Sequence, residues 1–348
     1  MKPVEIITVE DGGNPRSNAD IETTDAGFLI RPFTEDGDPN YKFRLDVSLE
    51  NTSPDPVKLP VTIDWADSEY AKYRRYVLLS RGDEWTRLPA EIDGPMARAV
   101  IEAPPGLSRL GMHPFYNYTR LRQFAGALDP RLFDVIVLGP SLHGREIVAV
   151  EAGRKDRRPL VVMTRAHPYE SIGSFMAEGM ISWLARDSSD ARALMDHHRF
   201  AFIPMPNPDG VAEGACKRTA GGLDINLAAG SADPEGCALR AYHARVRPAA
   251  TFDIHGFMHN SDGFGTNDIA RGREIAARLL QRPDLFNKKL SVQESLDTEG
   301  GLENLGMFCQ MEFGSVRFGG SWTWYDRDAA HLRAMGVEIL KAYAAQFA

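Results

Sequence analysis

Cysteine is scarce in this chain, with three residues at positions 216, 237 and 309 out of 348. An odd and widely spaced set does not read as a disulfide framework, and none of the three is needed for the chemistry read below. An excess of positive charge is also missing. Forty Lys plus Arg stand against 48 Asp plus Glu, a net charge of −8 with His neutral, and no basic tract stands out. Nucleic-acid binding therefore lacks its electrostatic footprint. No run approaches the ~18 apolar residues of a membrane span. The opening Met1-Lys-Pro-Val-Glu-Ile-Ile-Thr-Val-Glu turns polar before a signal-peptide core is complete. A cytoplasmic enzyme with no membrane partner is the expectation, and there is no internal repeat or low-complexity tract.

The length suggests about two domains, with ample material for a large core. The first 110 or so residues read as short strands. Tyr41 to Leu49 alternates apolar with polar, Val57, Leu59, Val61 and Ile63 resume the alternation, and Tyr76–Leu79 and Trp85–Leu88 follow between Gly, Asp and Pro. This predicts a β-sandwich domain over 1–110, with Ala103-Pro-Pro-Gly106 as the linker. From 111 to 348 strands and helices alternate. Strands are expected at 135–138, 147–150, 160–163, 200–205 and 251–254, and helices at 171–186, 234–246, 268–281 and 327–346. The close spacing of the first two strands suits a hairpin, so the expected fold is α/β with a mixed central sheet.

His-x-x-Glu occurs twice, as His143-Gly-Arg-Glu146 and as His167-Pro-Tyr-Glu170. Context separates the copies. Ile147, Val148 and Val150 follow the first, which places it on a turn entering a strand. The second lies between the apolar run Leu160–Met163 and a helical pattern at Ile172, Phe175, Met176, Gly179, Met180 and Trp183. His167 and Glu170 therefore fall where a strand ends and a helix begins, the end at which open α/β sheets hold their ligands. A second apolar run ends in Asp253-Ile-His255-Gly256. Strand alternation puts Asp253 on the same side as His255, where it can act as a partner to the imidazole, and Gly256 would allow a sharp turn just beyond. Two imidazoles and a carboxylate are a donor set that zinc accepts, with a fourth position open for water or substrate. Glu312, a later carboxylate, is the candidate for activating that water.

These fragments, in order, resemble the zinc carboxypeptidase superfamily and within it the cytosolic carboxypeptidase-like branch. The likeness runs through Gly139-Pro-Ser-x-x-Gly144-Arg145, His167-x-x-Glu170, Asn207-Pro-Asp-Gly210-Val211, Gly222-Leu-Asp224-Ile-Asn226, Asp253-Ile-His255-Gly256 and Met311-Glu312. The resemblance implies one zinc ion on His167, Glu170 and His255, with Glu312 as general base. It also implies a β-rich domain before the catalytic one. Arg218 or Lys217 matches the Arg that polarises the scissile carbonyl, and Asn226 matches the Asn that holds the substrate's terminal carboxylate. The Arg that accompanies that Asn in the family is Leu227 here, and no Tyr lies between Tyr242 and Tyr325. The expected activity is metallocarboxypeptidase hydrolysis at a peptide or protein C-terminus. Two alternatives stay open: an amidohydrolase acting on an N-acyl amino acid or side-chain amide, and a zinc-binding interaction module without activity.

Overall fold

The computed structural model describes residues 3–7, 11–13, 20–35, 43–72, 74–257, 262–287, 289–294 and 301–347. The chain separates into two compact units, Met1–Tyr118 with Gly210–Lys217, and Thr119–Asp209 with Arg218–Ala348. The division falls at 118 rather than 110, and a later segment, Gly210–Lys217, belongs to the first unit. Within that unit the segment is tied in by Gly12 N–H to the Ala212 carbonyl, Arg44 Nη1 to the Ala215 carbonyl and the Lys217 amide to Glu35. Such ties are set by tertiary contacts and leave no local mark in composition.

The first unit holds strands β1 (Val4–Ile7), β2 (Ile21–Thr24), β3 (Gly27–Ile30), β4 (Phe33–Thr34), β5 (Phe43–Arg44), β6 (Asp46–Asn51), β7 (Val57–Asp64), β8 (Tyr76–Arg81), β9 (Glu84–Pro89), β10 (Glu91–Asp93), β11 (Met96–Ala103) and β12 (Gly106–Gly111), with one short helix, α1 (Ser68–Ala71). Two five-stranded sheets result, in the orders β1-β6-β12-β8-β9 and β10-β11-β7-β3-β2. Along β11 burial alternates residue by residue, the signature of a strand with one face on a core and one in water. The expected Pro104-Pro105 linker is instead the turn joining β11 to β12.

The second unit is built on an eight-stranded sheet. Its strands are β13 (Phe133–Pro140), β14 (Glu146–Gly153), β15 (Leu160–Thr164), β16 (Arg199–Ile203), β17 (Ala250–Phe257), β18 (Gly263–Thr266), β19 (Ser291–Glu294) and β20 (Val316–Thr323), in the order β13-β14-β16-β15-β17-β20-β18-β19. β13 and β14 form the expected antiparallel hairpin, whereas β16, β15, β17 and β20 run parallel, so the sheet is mixed. Its helices are α2 (Tyr118–Gly126), α3 (Ile172–Leu184) and α4 (Ser189–His197), then, after α5 (Pro208–Ala212), which runs across the division at Gly210, α6 (Pro234–Val246), α7 (Ile269–Leu279), α8 (Leu305–Phe313) and α9 (Ala329–Ala344). The strands β18, β19 and β20 and the helices α2, α4, α5 and α8 lie outside the elements that the sequence pattern predicts. None of the described helices is long and apolar enough to cross a membrane.

Alternation assigns the two faces of the central strands. Val161 and Met163 pack with Ile225, Leu239, Tyr242, Leu305 and Phe308 on the side of α6 and α8. Phe252, level with Val162, meets Tyr343 of α9 on the other. Helix α3 is buried nearly all round because α9 covers it. The two helices approach so closely that a Cβ on Gly336 would sit 2.3 Å from the Met176 carbonyl, and one on Gly179 would sit 2.2 Å from the Arg333 carbonyl. Helix propensity alone favours Ala over Gly by up to about 1 kcal/mol. Gly336→Ala should nonetheless lower the stability measured by chemical denaturation, by something like 1–3 kcal/mol, because the backbones must separate. A stabilised variant would show that the helices are not in this contact.

Candidate metal centre

The strand β15 is five consecutive buried residues, and Arg165 ends it abruptly. This fully buried arginine has φ 57°, a left-handed conformation that costs a non-glycine residue free energy and survives only where its surroundings hold it. Its amide donates to the Ile254 carbonyl and its Nε to the Pro168 carbonyl at 2.9 Å. The turn so formed folds His167-Pro168-Tyr169-Glu170 over the carboxyl ends of β15 and β17, and α3 starts two residues later. Gly256 is required for a reason other than the expected one. β17 continues through Phe257 instead of turning, and a Cβ on Gly256 would meet Ile172 Cγ1 at 2.9 Å and Glu170 Cβ at 3.3 Å. Glycine there lets Glu170 lie against the strand that carries His255.

The three side chains converge. His167 Nδ1 lies 2.9 Å from Glu170 Oε1, and His255 Nδ1 lies 2.8 Å from Glu170 Oε2. The candidate ligand atoms all fall within 4.8 Å of one another, with ring centroids 4.9 Å apart. Behind each ring stands a second carboxylate, Asp253 Oδ2 at 2.9 Å from His255 Nε2 and Asp224 Oδ1 at 3.4 Å from His167 Nε2. An aspartate accepting from Nε2–H fixes the tautomer that presents the Nδ1 lone pair to a metal. The pairing of Asp253 follows the expected alternation. Asp224 was legible only as part of a motif, since nothing in its spacing points it at His167.

Electrostatics make the same demand. Burial disfavours charge on both rings, yet Glu170 and Asp224 outweigh it and push His167 up to about 9, and Asp253 with Glu170 raises His255 well above its ordinary value. Glu170, though buried, is drawn down to about 2 by the two imidazoles. Three carboxylates around two rings call for positive charge at one point, which two protons or one divalent cation can supply. Two imidazole nitrogens plus one carboxylate oxygen fit zinc.

The other expected residues divide. Arg218 lies near the cluster in sequence and in space: it bridges backbone to backbone with Asp224, its Nη1 donates to the Gly222 carbonyl, and its own carbonyl accepts from Asn207 Nδ2 at 3.0 Å. Lys217 falls in the first unit. Asn226 follows Asp224, whose Oδ1 accepts the Asn226 amide at 3.0 Å. His143 stands apart, on the turn before β14, and Asp209 accepts from its amide, from the Ser141 hydroxyl and from Arg145 Nη1, each at 2.7 Å. The Gly-Pro-Ser-x-x-Gly-Arg and Asn-Pro-Asp motifs thus bond to each other.

Glu312 is a correction. It is exposed in the last turn of α8, and the neighbouring Phe313 carbonyl accepts from Arg158 Nη2, which also donates to the Pro248 carbonyl. That is the amino end of β17. His255 lies at its carboxyl end, five residues beyond the Ala250–Val316 pair, or roughly 16 Å along the strand. The strand beside His255 is β20, with Ser321 level with His255 and Gly319 level with Asp253, and it carries no acidic residue. Of the other acids near Glu312 in sequence, Glu303 is exposed on a turn packed against Gly230, and Glu299 lies outside the described residues.

Residues 119–221 match the zinc carboxypeptidase family model. Over 124 residues the chain is 43% identical to cytosolic carboxypeptidase 2 of Danio rerio, a segment covering 32% of this chain and 17% of that protein. Over 121 residues it is 31% identical to cytosolic carboxypeptidase 6 of Mus musculus, covering 32% and 22%. The matched segment thus spans under a quarter of either relative. The metallo-carboxypeptidase of Burkholderia cenocepacia superposes with a TM-score of 0.83 over 99% of this chain and 100% of that one at 20% identity, which establishes the fold. The fold is therefore that of the metallocarboxypeptidases. The resemblance to the zinc carboxypeptidases is borne out, and its curated relatives lie in the cytosolic branch.

Two measurements test the centre. His167→Ala or His255→Ala should lose stoichiometric zinc, since two protein ligands hold the ion far less well than three, whereas His143→Ala should keep it. Loss with His143→Ala and retention with His167→Ala would reverse the assignment. The second test is pH. A pKa raised from 6.5 to about 9 gives His167 a stabilising charge that is fully present below 6.5 and lost as pH rises through about 9. Glu170, lowered from 4.5 to about 2, acts oppositely, its contribution being lost only as pH falls through that range. Chelator-treated protein should therefore melt at progressively lower temperature from pH 6.5 to 9, and zinc-loaded protein should not. Parallel melting curves for the two forms would contradict this electrostatic account.

Proposed function

We propose that the chain is a zinc-dependent metallocarboxypeptidase that hydrolyses the C-terminal amide bond of a peptide or protein. The observation that carries this is the convergence of His167, Glu170 and His255 with an aspartate behind each imidazole. A zinc ion on three protein ligands with an open position acts as a Lewis acid toward a carbonyl oxygen and toward water. Asp224 and Asp253 keep both rings in the ligating tautomer. We assign Arg218, bridged to Asp224, to the negative charge that develops on the carbonyl oxygen. Asn226 is assigned to a substrate carboxylate. The three free cysteines and the word cytosolic in the relatives' names favour a reducing compartment.

One observation favours a second reading, a zinc-dependent peptide-binding module without turnover. Among the described residues, the carboxylates within hydrogen-bond reach of the two rings are Glu170, Asp224 and Asp253, each already engaged with an imidazole. A screen of zinc-loaded protein against peptides differing at the C-terminal residue, read by mass spectrometry, decides between the two. Loss of single C-terminal residues, abolished in His167→Ala, is the expected result. Bound zinc with no cleavage of any amide would leave only the module. Glu312→Gln should leave turnover nearly unchanged, whereas removing a positioned base costs roughly 10²–10⁴-fold. A drop of that size would return Glu312 to the mechanism.

A further inference from the structure

The first turn of α6 holds a carboxylate that the metal centre does not use. Glu235 is wholly buried, and the donor that meets it is the Leu142 amide, at a long 3.5 Å from Oε1. Its Oε2 is buried with no hydrogen-bond partner. The charged groups that act on it are acidic. Asp233, which caps α6 and lies within hydrogen-bonding reach, and the buried Asp209 both strengthen its hold on a proton. Arg145 Nη1 lies 2.7 Å from Asp209 and His143 Nδ1 lies 4.0 Å from it, so the cation and the imidazole on that side go to Asp209. We propose that Glu235 is a proton-operated brace for the loop 218–226: with a proton it donates to Asp233 and holds the loop, and without one it repels Asp233 and releases it. The bearing on the metal centre rests on His167 binding zinc with Asp224 behind it.

Two carboxylates in contact can bond only through a proton. Asp233 already accepts twice, from the Gly236 amide on Oδ1 at 3.3 Å and from the Thr219 hydroxyl on Oδ2 at 2.8 Å. Both bonds favour an ionised aspartate, which leaves the proton to Glu235. Burial pushes Glu235 up, and the charges of Asp233 and Asp209 add to it, from an ordinary 4.5 to about 7. A carboxyl group so placed changes charge across the neutral range, where an exposed glutamate stays ionised.

Asp233 transmits the change. Thr219, which donates to it, accepts the Leu223 amide at 3.3 Å; the Thr219 amide donates to the Leu223 carbonyl at 2.8 Å and the Gly222 amide to the Thr219 carbonyl at 2.9 Å. The turn rests on the carboxylate itself, since a Cβ on Gly221 would lie 2.7 Å from Asp233 Oδ2. A second contact backs the first. A Cβ on Gly236 would come within 2.1 Å of the Ala228 carbonyl, so the start of α6 presses on the short helix Ile225–Gly230. Arg218 and Asp224, paired backbone to backbone, close the same loop. A displacement of 219–223 therefore reaches the aspartate that faces His167.

Hydrogen exchange of zinc-loaded protein tests the brace, read by mass spectrometry on peptides spanning 219–224 and corrected for the intrinsic rate, at about pH 6 and about pH 8, either side of the value near 7. In wild type, protection should fall roughly 3–10-fold at the higher pH, the worth of one hydrogen bond. Glu235→Gln mimics the protonated side chain, with an N–H toward Asp233, and should keep the low-pH protection at both values. Thr219→Val cuts the link, so its protection should be low at both. Should Glu235→Gln fail to fold, the wild-type response and its disappearance in Thr219→Val decide. An equal pH response in wild type and Glu235→Gln, an undiminished response in Thr219→Val, or no response in wild type overturns the proposal. The same pattern in protein that fails to take up zinc keeps the brace and discards the metal reading instead.

Discussion

A single buried carboxylate shared by two imidazoles is the constraint on which this structure turns. Glu170 is wholly removed from solvent, and an ionised group in that position is very costly unless opposite charge and hydrogen bonds meet it. His167 and His255 meet one oxygen each, and Asp224 and Asp253 in turn meet the outer nitrogens of the rings. Removing one member leaves the others as uncompensated buried charge. The cluster is stable only when positive charge occupies its centre, whether from two protons on the rings or from one divalent cation.

The scaffold delivers these groups through backbone approach more than through side-chain packing. Arg165 in the left-handed region, Gly256 against Glu170 and Gly173 against Thr164 and Ile254 let the turn, the start of α3 and the end of β17 lie closer than ordinary residues would permit. On the outer side α9 presses α3 onto the sheet through Gly179 and Gly336. Position errors at the cluster are thus limited by the stiffness of the sheet and helix backbones. That is the precision a three-ligand metal site needs.

Much of this could be read in the chain before any coordinates. The β13–β14 hairpin was legible in two closely spaced β-branched runs, and the convergence of His167, Glu170 and His255 in two apolar strands that each lead to a histidine. The separation of the two His-x-x-Glu copies also came from context, because only one follows a buried strand. What escaped notice has a common cause. β20 carries Gly319-Gly320 in its middle, which erases strand propensity and alternation together, so the element beside His255 went unseen. With that strand missing, Gln310-Met311-Glu312-Phe313 looked like the last piece of the site. Its helical character was equally hidden, since α8 has apolar residues without a clear stripe. Asp224 acts across 57 residues of chain from His167, a distance over which spacing carries no information.

Gly319 is the position on β20 that bears most directly on the cluster. It lies level with Asp253 on β17, and a Cβ there would meet nothing within 4 Å, so the strand leaves open space beside the imidazole pair instead of a side chain. Any group that completes the chemistry beside His255 must therefore come from elsewhere than the core of β20, which carries no acidic residue.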